Sequence, residues 1–360
     1  MKDSSISLDH NDWTDDELLE CVSVISETSN TMSFSFCSPS GALFRYKAGQ
    51  FLTLEIPLPG GSVFRTYTIS SSPTRPHLIT LTIKAQADSV GSRWLMDHFT
   101  SGMTIKAIGP AGHFTYVDQL PSDHHSVQYL FISAGSGVTP MISMVTDMLD
   151  RNHDIDIVFV YCTRRPSDII FRKRLEEMAA RHPNFNLKFI VKEADAFQAW
   201  TGYQGRFNLA MLTLIAPDYL NRDVYCCGPQ SFMASVKTML LTQNFDPLNY
   251  HEESFSAPIE SKTCVPDINT DQNETIEIHF ALSNINRQAR PGESLLTVAR
   301  AAGIVIPSAC QFGMCGTCKV KKHSGNIEMH HNGGISQNEI EAGYILACCS
   351  QPKGNVSIDV

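Results

Sequence analysis

Cys310-Gln311-Phe312-Gly313-Met314-Cys315-Gly316-Thr317-Cys318, followed after 29 residues by Cys348, is the stretch on which the architecture of this 360-residue chain turns. C-x4-C-x2-C with one distant fourth cysteine is the ligand spacing of a [2Fe–2S] cluster. Four thiolates must converge on two irons, so one tight loop supplies three of them and a distant strand the fourth. Gly313 and Gly316 carry no Cβ, which lets the loop wrap the inorganic sulfurs and turn backbone N–H groups toward them. Zinc sites are built from C-x2-C pairs, and a triplet with a lone partner is not that pattern. Cys348 and Cys349 compete for the fourth position. A one-electron centre needs an electron source, and the sequence upstream of the cysteines reads as one.

Length predicts two or three domains. A hydrophobic fraction of 42% is ordinary for a chain with sizeable cores. A net charge of −9 argues against nucleic acid as a partner and suits docking on a basic patch of another protein. No apolar run approaches the about 18 residues that span a bilayer. The start, Met1 to Glu20, is polar and acidic without the apolar core of a secretory signal. Eleven cysteines in that setting imply metal ligands, catalysis and buried thiols in a reducing, cytoplasmic compartment.

Residues 1–18 read as a polar tail or an extra strand entry. From Leu19, short runs with period-two alternation and Gly or Pro in the gaps predict closely spaced antiparallel strands, hence a small β-barrel over residues 19–122. These runs are Glu20–Ser26, Thr31–Phe36, Gln50–Ile56, Phe64–Ser70, Leu78–Lys84, Thr104–Ile108 and Gly112–Phe114, with a helix over Ser92–Phe99. Gly109-Pro110-Ala111-Gly112 reads as a turn. Tyr129-Leu130-Phe131-Ile132-Ser133 then opens a different pattern, a continuous apolar strand of the kind buried on both faces of a parallel sheet. Strand and helix alternate from there to Leu241, which predicts a doubly wound α/β nucleotide domain over 123–255. A linker is expected at 256–274, where prolines and acids replace periodicity. The segment 275–360 holds a predicted hairpin, a helix over Ser294–Gly303 and the cysteines.

Turns between these elements carry phosphate-binding chemistry. Gly135-Ser136-Gly137-Val138-Thr139-Pro140 joins a strand to a helix, where missing side chains let a pyrophosphate reach the backbone and the helix N-terminus. Proline stands where a classical dinucleotide fingerprint has its third glycine. Val90-Gly91-Ser92 opens another helix in the same manner. Arg164, Arg165 and Asp168 follow the second strand of the nucleotide domain, where the adenosine ribose lies; two arginines could grip a 2′-phosphate. The histidines fall mostly in loops and read as solvated surface.

Arg65-Thr66-Tyr67-Thr68-Ile69-Ser70-Ser71 resembles the R-x-Y-(S/T)-x-x-S signature of the ferredoxin–NAD(P)+ reductase superfamily, and the Gly135–Pro140 loop resembles its pyridine-nucleotide loop. Tyr225-Cys226-Cys227-Gly228-Pro229 matches its Cys-Gly-Pro at Cys227, leaving Cys226 to the core. Leu346-Ala347-Cys348 resembles plant-type ferredoxins, which favours Cys348 over Cys349. Residues 19–360 as a whole resemble flavin reductases with a C-terminal plant-type ferredoxin domain. Two subgroups are similar, the reductase component of glycine betaine monooxygenase and the NADH oxidoreductase of the hybrid cluster protein. Ser70–His77, Arg165–Phe171 and His251–Phe255 look more like the first.

The resemblance implies a multidomain fold: antiparallel β-barrel flavin domain, doubly wound nucleotide domain and a β-grasp ferredoxin domain. It implies FAD, with FMN as the alternative, held by Arg65, Tyr67, Thr68, Ser71, Val90, Gly91, Ser92 and Phe255. It implies NADH, with NADPH as the alternative, held by Gly135, Ser136, Gly137, Thr139, Pro140, Arg164, Arg165, Cys227, Gly228 and Pro229. Thr68 and Cys227 would frame the hydride path, the catalytic candidate Glu253 would approach the flavin edge with Phe255, and Cys310, Cys315, Cys318 and Cys348 would hold the cluster. The implied activity is electron transfer from NADH through FAD and [2Fe–2S] to a partner protein, a Rieske-type oxygenase component. An oxygen- or nitric-oxide-reducing flavohaemoglobin would need a globin segment that is not in the sequence. A ferredoxin-like carrier or redox sensor would leave the flavin and nucleotide motifs without a use.

Overall fold

In the computed structural model, residues 12–86, 88–119, 127–151, 155–195, 199–255, 276–290, 292–308, 313, 315–331 and 334–360 are described. Chain contacts divide the protein into two units, Met1–Leu52 with Tyr67–Pro110 and Phe114–Phe255, and Thr53–Thr66 with Ala111–His113 and Ser256–Val360.

The first sheet is built from β1 (Leu19–Thr28), β2 (Thr31–Cys37), β3 (Phe51–Leu58), β4 (Gly61–Thr68), β5 (Ile79–Lys84) and, after helix α1 (Val90–His98), β6 (Thr104–Ala111). Its order is β4-β3-β6-β1-β2-β5. Ile69, just past β4, bridges Leu81 of β5, which brings the two ends of the sheet together in a barrel-like closure. The segment Gly109–Gly112, read from sequence as a turn, is instead taken up by β6 through Ala111, and Gly112–Phe114 forms no strand. Within residues 12–18, read as a polar tail or an extra strand entry, Trp13 is buried and Glu17 is held by hydrogen bonds, while the others are exposed. The Trp13 N–H donates to Leu43 O at 2.9 Å and its ring lies 5.6 Å from that of Phe44. The Glu17 carboxylate accepts from Ser38 Oγ, Ser40 N and Ser40 Oγ at 2.8–2.9 Å. One buried tryptophan in a polar stretch carries no periodicity, so no pattern announces it.

The nucleotide domain contains β7 (Val127–Ala134), α2 (Val138–Asp150), β8 (Ile155–Thr163), α3 (Arg172–Arg181), β9 (Phe185–Val191), β10 (Tyr203–Gln204), α4 (Leu209–Ile215), β11 (Asp223–Cys227), α5 (Gln230–Leu241) and β12 (Tyr250–Glu253). All strands are parallel, in the order β10-β9-β8-β7-β11-β12. Successive residues point to opposite faces, and both faces are covered, as a parallel sheet requires. Phe131, Phe159, Tyr161 and Tyr225 join one core with α2 and with Ala48, Phe114 and Tyr116 of the flavin-side segment. Leu130, Ile132, Val158, Val160, Val224 and Cys226 join the other core with α4 and α5. Helix α2 is buried from Val138 to Met148 without interruption because it is covered on both sides. Strand order reverses between β7 and β11, so the crevice beyond their carboxyl ends is where ligands of such sheets bind.

The C-terminal unit has β13 (Ile276–Phe280), β14 (Ile285–Ala289), α6 (Leu295–Ala301), β15 (Lys319–Ser324), β16 (Ile327–Met329), α7 (Gln337–Glu341), β17 (Tyr344–Leu346), β18 (Ser350–Pro352) and β19 (Val356–Ile358). The main sheet runs β14-β13-β19-β15-β17, with β13 and β19 parallel and the other neighbours antiparallel. Leu295, Leu296, Val298 and Ala299 of α6 bury against Ile278, Phe280, Val320 and Ile358, so one mixed sheet grasps one helix. Ser294 caps α6 by accepting from Thr297 N, and Gly303, at φ +76°, ends it as the sequence predicted.

Candidate active site

Two of the expected flavin ligands meet at the start of α1. The hydroxyls of Tyr67, at the end of β4, and Ser92, in the first turn of α1, are 3.0 Å apart. Ser89, at the N-cap, does not cap the helix; its hydroxyl donates back to Gln86 O at 2.8 Å. The first turn therefore presents N–H groups with no side-chain cap, a setting that fits a pyrophosphate. Thr68 is buried next to Tyr67. Ser71 is already engaged: its Oγ accepts from Thr80 N at 3.0 Å and lies 2.9 Å from Tyr46 Oη. Its carbonyl accepts from Ser143 Oγ of α2 at 2.6 Å. Arg65 is exposed and its guanidinium donates to Phe64 O at 2.8 Å. Phe255, 44% exposed, ends the unit in which it lies.

The segment after this motif is pinned to α2. Thr74 and Arg75 donate to Asp150 at 2.6–3.0 Å. Asp147, fully buried, accepts from Tyr116 Oη at 2.6 Å and from Arg151 Nε at 3.1 Å, with Ser72 Oγ at 3.4 Å. No sequence motif marks Asp147, since three of its partners lie on other turns or elements.

At the switch point the nucleotide motifs converge. Gly135 adopts φ +57° and its carbonyl accepts from Tyr161 Oη at 3.0 Å. A Cβ at Gly137 would stand 2.2 Å from Cys227 O and 2.7 Å from Gly228 N. The glycine turn and the Cys-Gly-Pro strand end thus approach closer than any side chain permits. Ser136 O accepts from Thr139 Oγ1 at 3.0 Å, Pro140 is buried in α2, and Pro229 caps α5. Gly137, at the N-cap of α2, offers no side-chain cap, and the Val138 N–H donates back to Gly135 O and Ser136 O.

Ser133, Cys227 and Glu253 lie in register at the carboxyl ends of β7, β11 and β12. All three are buried. Ser133 Oγ and Glu253 Oε2 have no hydrogen-bond partner among the described residues. Burial pushes the Glu253 carboxyl up to about 8, and burial followed by the Glu253 charge pushes the Cys227 thiol up. In both groups burial favours the neutral form. Orphaned polar atoms beside a glycine cradle are what a polar ring ligand would satisfy, and they fit nicotinamide and flavin. Ser133 was not singled out in the sequence; its only signal is a hydroxyl closing an otherwise apolar strand. Cys226 points to the opposite core.

Arg164 and Arg165 follow β8 and are both exposed. Each faces Glu193, with Nε to Oε2 distances of 3.2 and 3.8 Å. Glu193 was not anticipated, because 29 residues separate it from Arg164.

In the C-terminal unit, Cys310 lies outside the described residues. Cys315 and Cys318 are buried and Cys348 is half-buried. The Cys348 N–H donates to Cys318 Sγ at 3.5 Å and Thr317 Oγ1 donates to Cys315 Sγ at 3.1 Å, the kind of donation that stabilises thiolates. Gly313 and Gly316 take φ +76° and +73°. A Cβ on Gly316 would stand 2.8 Å from Gly334 O, and one on Gly313 2.7 Å from Cys349 Sγ. The cradle and its thiols fit a [2Fe–2S] cluster. Among the described residues no group of three or more His, Cys, Asp or Glu side chains forms a metal site.

Comparison with known proteins matches three family models in tandem: an oxidoreductase FAD-binding domain at residues 19–116, an oxidoreductase NAD-binding domain at 131–238 and a 2Fe-2S iron-sulfur cluster binding domain at 279–353. The stachydrine N-demethylase reductase subunit of Rhizobium meliloti is 50% identical over 96% of this chain and 97% of its own. The chain belongs to the three-domain FAD/NAD/[2Fe–2S] reductase family. The glycine betaine monooxygenase reductase subunit of Pseudomonas aeruginosa, another relative, is 42% identical over 95% of this chain and 94% of its own. Phthalate dioxygenase reductase shares the fold, with a TM-score of 0.60 at 24% identity over 97% of this chain and 100% of that one. This reductase is thus an electron-transfer oxidoreductase with FAD, NAD and [2Fe–2S] domains, as the motifs implied. Its described helices include none long and apolar enough to cross a membrane.

Proposed function

We propose that this chain is the NADH-dependent reductase component of a Rieske-type oxygenase system that removes an N-methyl group from a glycine betaine-like substrate. The observation that carries the redox assignment is the meeting of Gly137, Cys227 and Glu253 at the switch point of the parallel sheet. The partner is proposed from the demethylase and monooxygenase relatives. FAD, when bound, supplies a hydride acceptor, and the cluster supplies a one-electron carrier.

The protein's share is placement and electrostatics. Arg65, Tyr67, Thr68, Ser71 and the α1 start at Val90–Ser92 hold the flavin, and Phe255 borders it. Gly135, Ser136, Gly137, Thr139 and Pro140 form the nucleotide cradle, closed by Cys227, Gly228 and Pro229. Cys227 and Glu253, whose neutral forms burial favours, lie at the nicotinamide edge. Cys310, Cys315, Cys318 and Cys348 hold the cluster. A reducing compartment, the cytoplasm, suits these thiols. Anaerobic titration with NADH, read by visible and frozen-sample EPR spectra, tests this. Flavin bleaching followed by a rhombic [2Fe–2S] signal is expected; flavin bleaching with no cluster signal would overturn the assignment of the cysteines.

A further inference from the structure

We propose that Glu193 sets the coenzyme preference of this reductase by pairing with the two guanidinium groups that would otherwise receive a 2′-phosphate. The inference rests on the assignment of β7–β12 as the nicotinamide-nucleotide domain.

Placement comes first. β8 is the second strand of the doubly wound sheet, and the adenosine ribose lies beyond the carboxyl end of that strand. Arg164 and Arg165 are the first residues there. Two adjacent arginines at this position could grip a 2′-phosphate, although the resemblance implies NADH. The structure adds a carboxylate from the neighbouring strand. β9 ends at Val191, in register with Thr163, and the backbone pairing runs on beyond it. Lys192 N–H donates to Thr163 O at 3.0 Å and Glu193 N–H donates to Arg164 O at 2.8 Å. Glu193 is therefore anchored by its own backbone beside Arg164.

Its side chain completes the arrangement. Arg164 Nε donates to Glu193 Oε2 at 3.2 Å, and Arg165 Nε stands 3.8 Å from the same oxygen. Lys192 Nζ donates to Oε1 at 3.2 Å. The hydrogen bonds from Lys192 and Arg164 hold the Glu193 carboxyl below its ordinary range, so it is ionised at neutral pH. One carboxylate does not cancel three cations. It commits the Nε edge of Arg164 and places a negative charge where the phosphate oxygens would have to sit. A 2′-phosphate must displace that carboxylate and meet its charge, whereas a 2′-hydroxyl does neither.

The test compares the flavin-loaded protein with Glu193→Gln, measuring kcat/KM for NADH and NADPH with ferricyanide as acceptor. Affinity for 2′,5′-ADP and 5′-AMP is measured by calorimetry. The substitution is expected to raise the NADPH-to-NADH ratio about tenfold, mainly through KM for NADPH, the scale of one charge-assisted hydrogen bond regained. Binding of 2′,5′-ADP should tighten by a similar factor, and adding Arg164→Gln should remove most of the gain. A ratio and a 2′,5′-ADP affinity that stay within twofold of wild type would overturn the proposal. So would a wild-type protein that prefers NADPH. A wild-type protein whose flavin neither coenzyme reduces would instead overturn the nucleotide-domain assignment itself.

Discussion

Glu253 carries the least ordinary chemistry at the scale of single residues. Its carboxyl is raised by burial to about 8, against an ordinary value of 4.5. The folded state therefore keeps a proton that the unfolded chain gives up, and stability falls as pH rises from about 4.5 to about 8. Below that window the effect is absent; above it the full penalty applies. Glu253→Gln should flatten this dependence. The melting temperature of the flavin-loaded wild type is expected to drop between pH 5 and 8 by about 5 °C more than that of the variant. The same substitution should slow NADH-dependent flavin reduction in stopped flow by about tenfold, a modest general acid–base or positioning effect. Sequence resemblance pointed to Glu253 and Cys227 but not to their adjacency, nor to Ser133 in the same row. Cross-strand register between β7, β11 and β12 makes that row, and register is a tertiary quantity.

Helix α2 is the element on which the first unit depends. Its N-terminus closes the glycine cradle, and its last turns hold Asp147 and Asp150 against the segment that follows the flavin motif. Gly137→Ala forces a methyl group onto the Cys227 carbonyl at 2.2 Å, where only backbone can yield. The expected cost is about 2–3 kcal/mol in urea unfolding, with NADH affinity reduced at least tenfold. Asp147→Ala leaves the buried Tyr116 hydroxyl and the Arg151 guanidinium without their acceptor. It should lower stability by about 2–4 kcal/mol, whereas Ser72→Ala, at the long 3.4 Å contact, should cost under about 1 kcal/mol. Helix α5 ends at Leu241, where local pattern put the close of the strand–helix alternation, and Gly228-Pro229 separates it from β11. The packing of Trp13, the short strands β10 and β12, and β6 running through Gly109–Ala111 were not legible. Each depends on a partner strand or on a single aromatic contact, which no local periodicity reports.

For the whole molecule, the order of carriers is the property to test. Cys315→Ser or Cys348→Ser should abolish reduction of the oxygenase partner or cytochrome c while leaving NADH-to-ferricyanide activity within about twofold, measured on flavin-loaded protein. Loss of both activities in such a variant would mean that the cluster lies before the flavin. The linker expected at 256–274 falls outside the described residues. By itself the sequence determined the three-domain composition and the cluster spacing, and it supplied the candidate residues of the nucleotide cradle. These properties reside in short motifs whose chemistry demands particular residue types at particular spacings. Only the tertiary structure decided which residues become neighbours: Gly137 against Cys227, Cys227 beside Glu253, Glu193 across the two arginines and Asp147 against the segment that follows the flavin motif. Each pair joins segments that are distant along the chain, and their approach is set by strand order, register and helix packing.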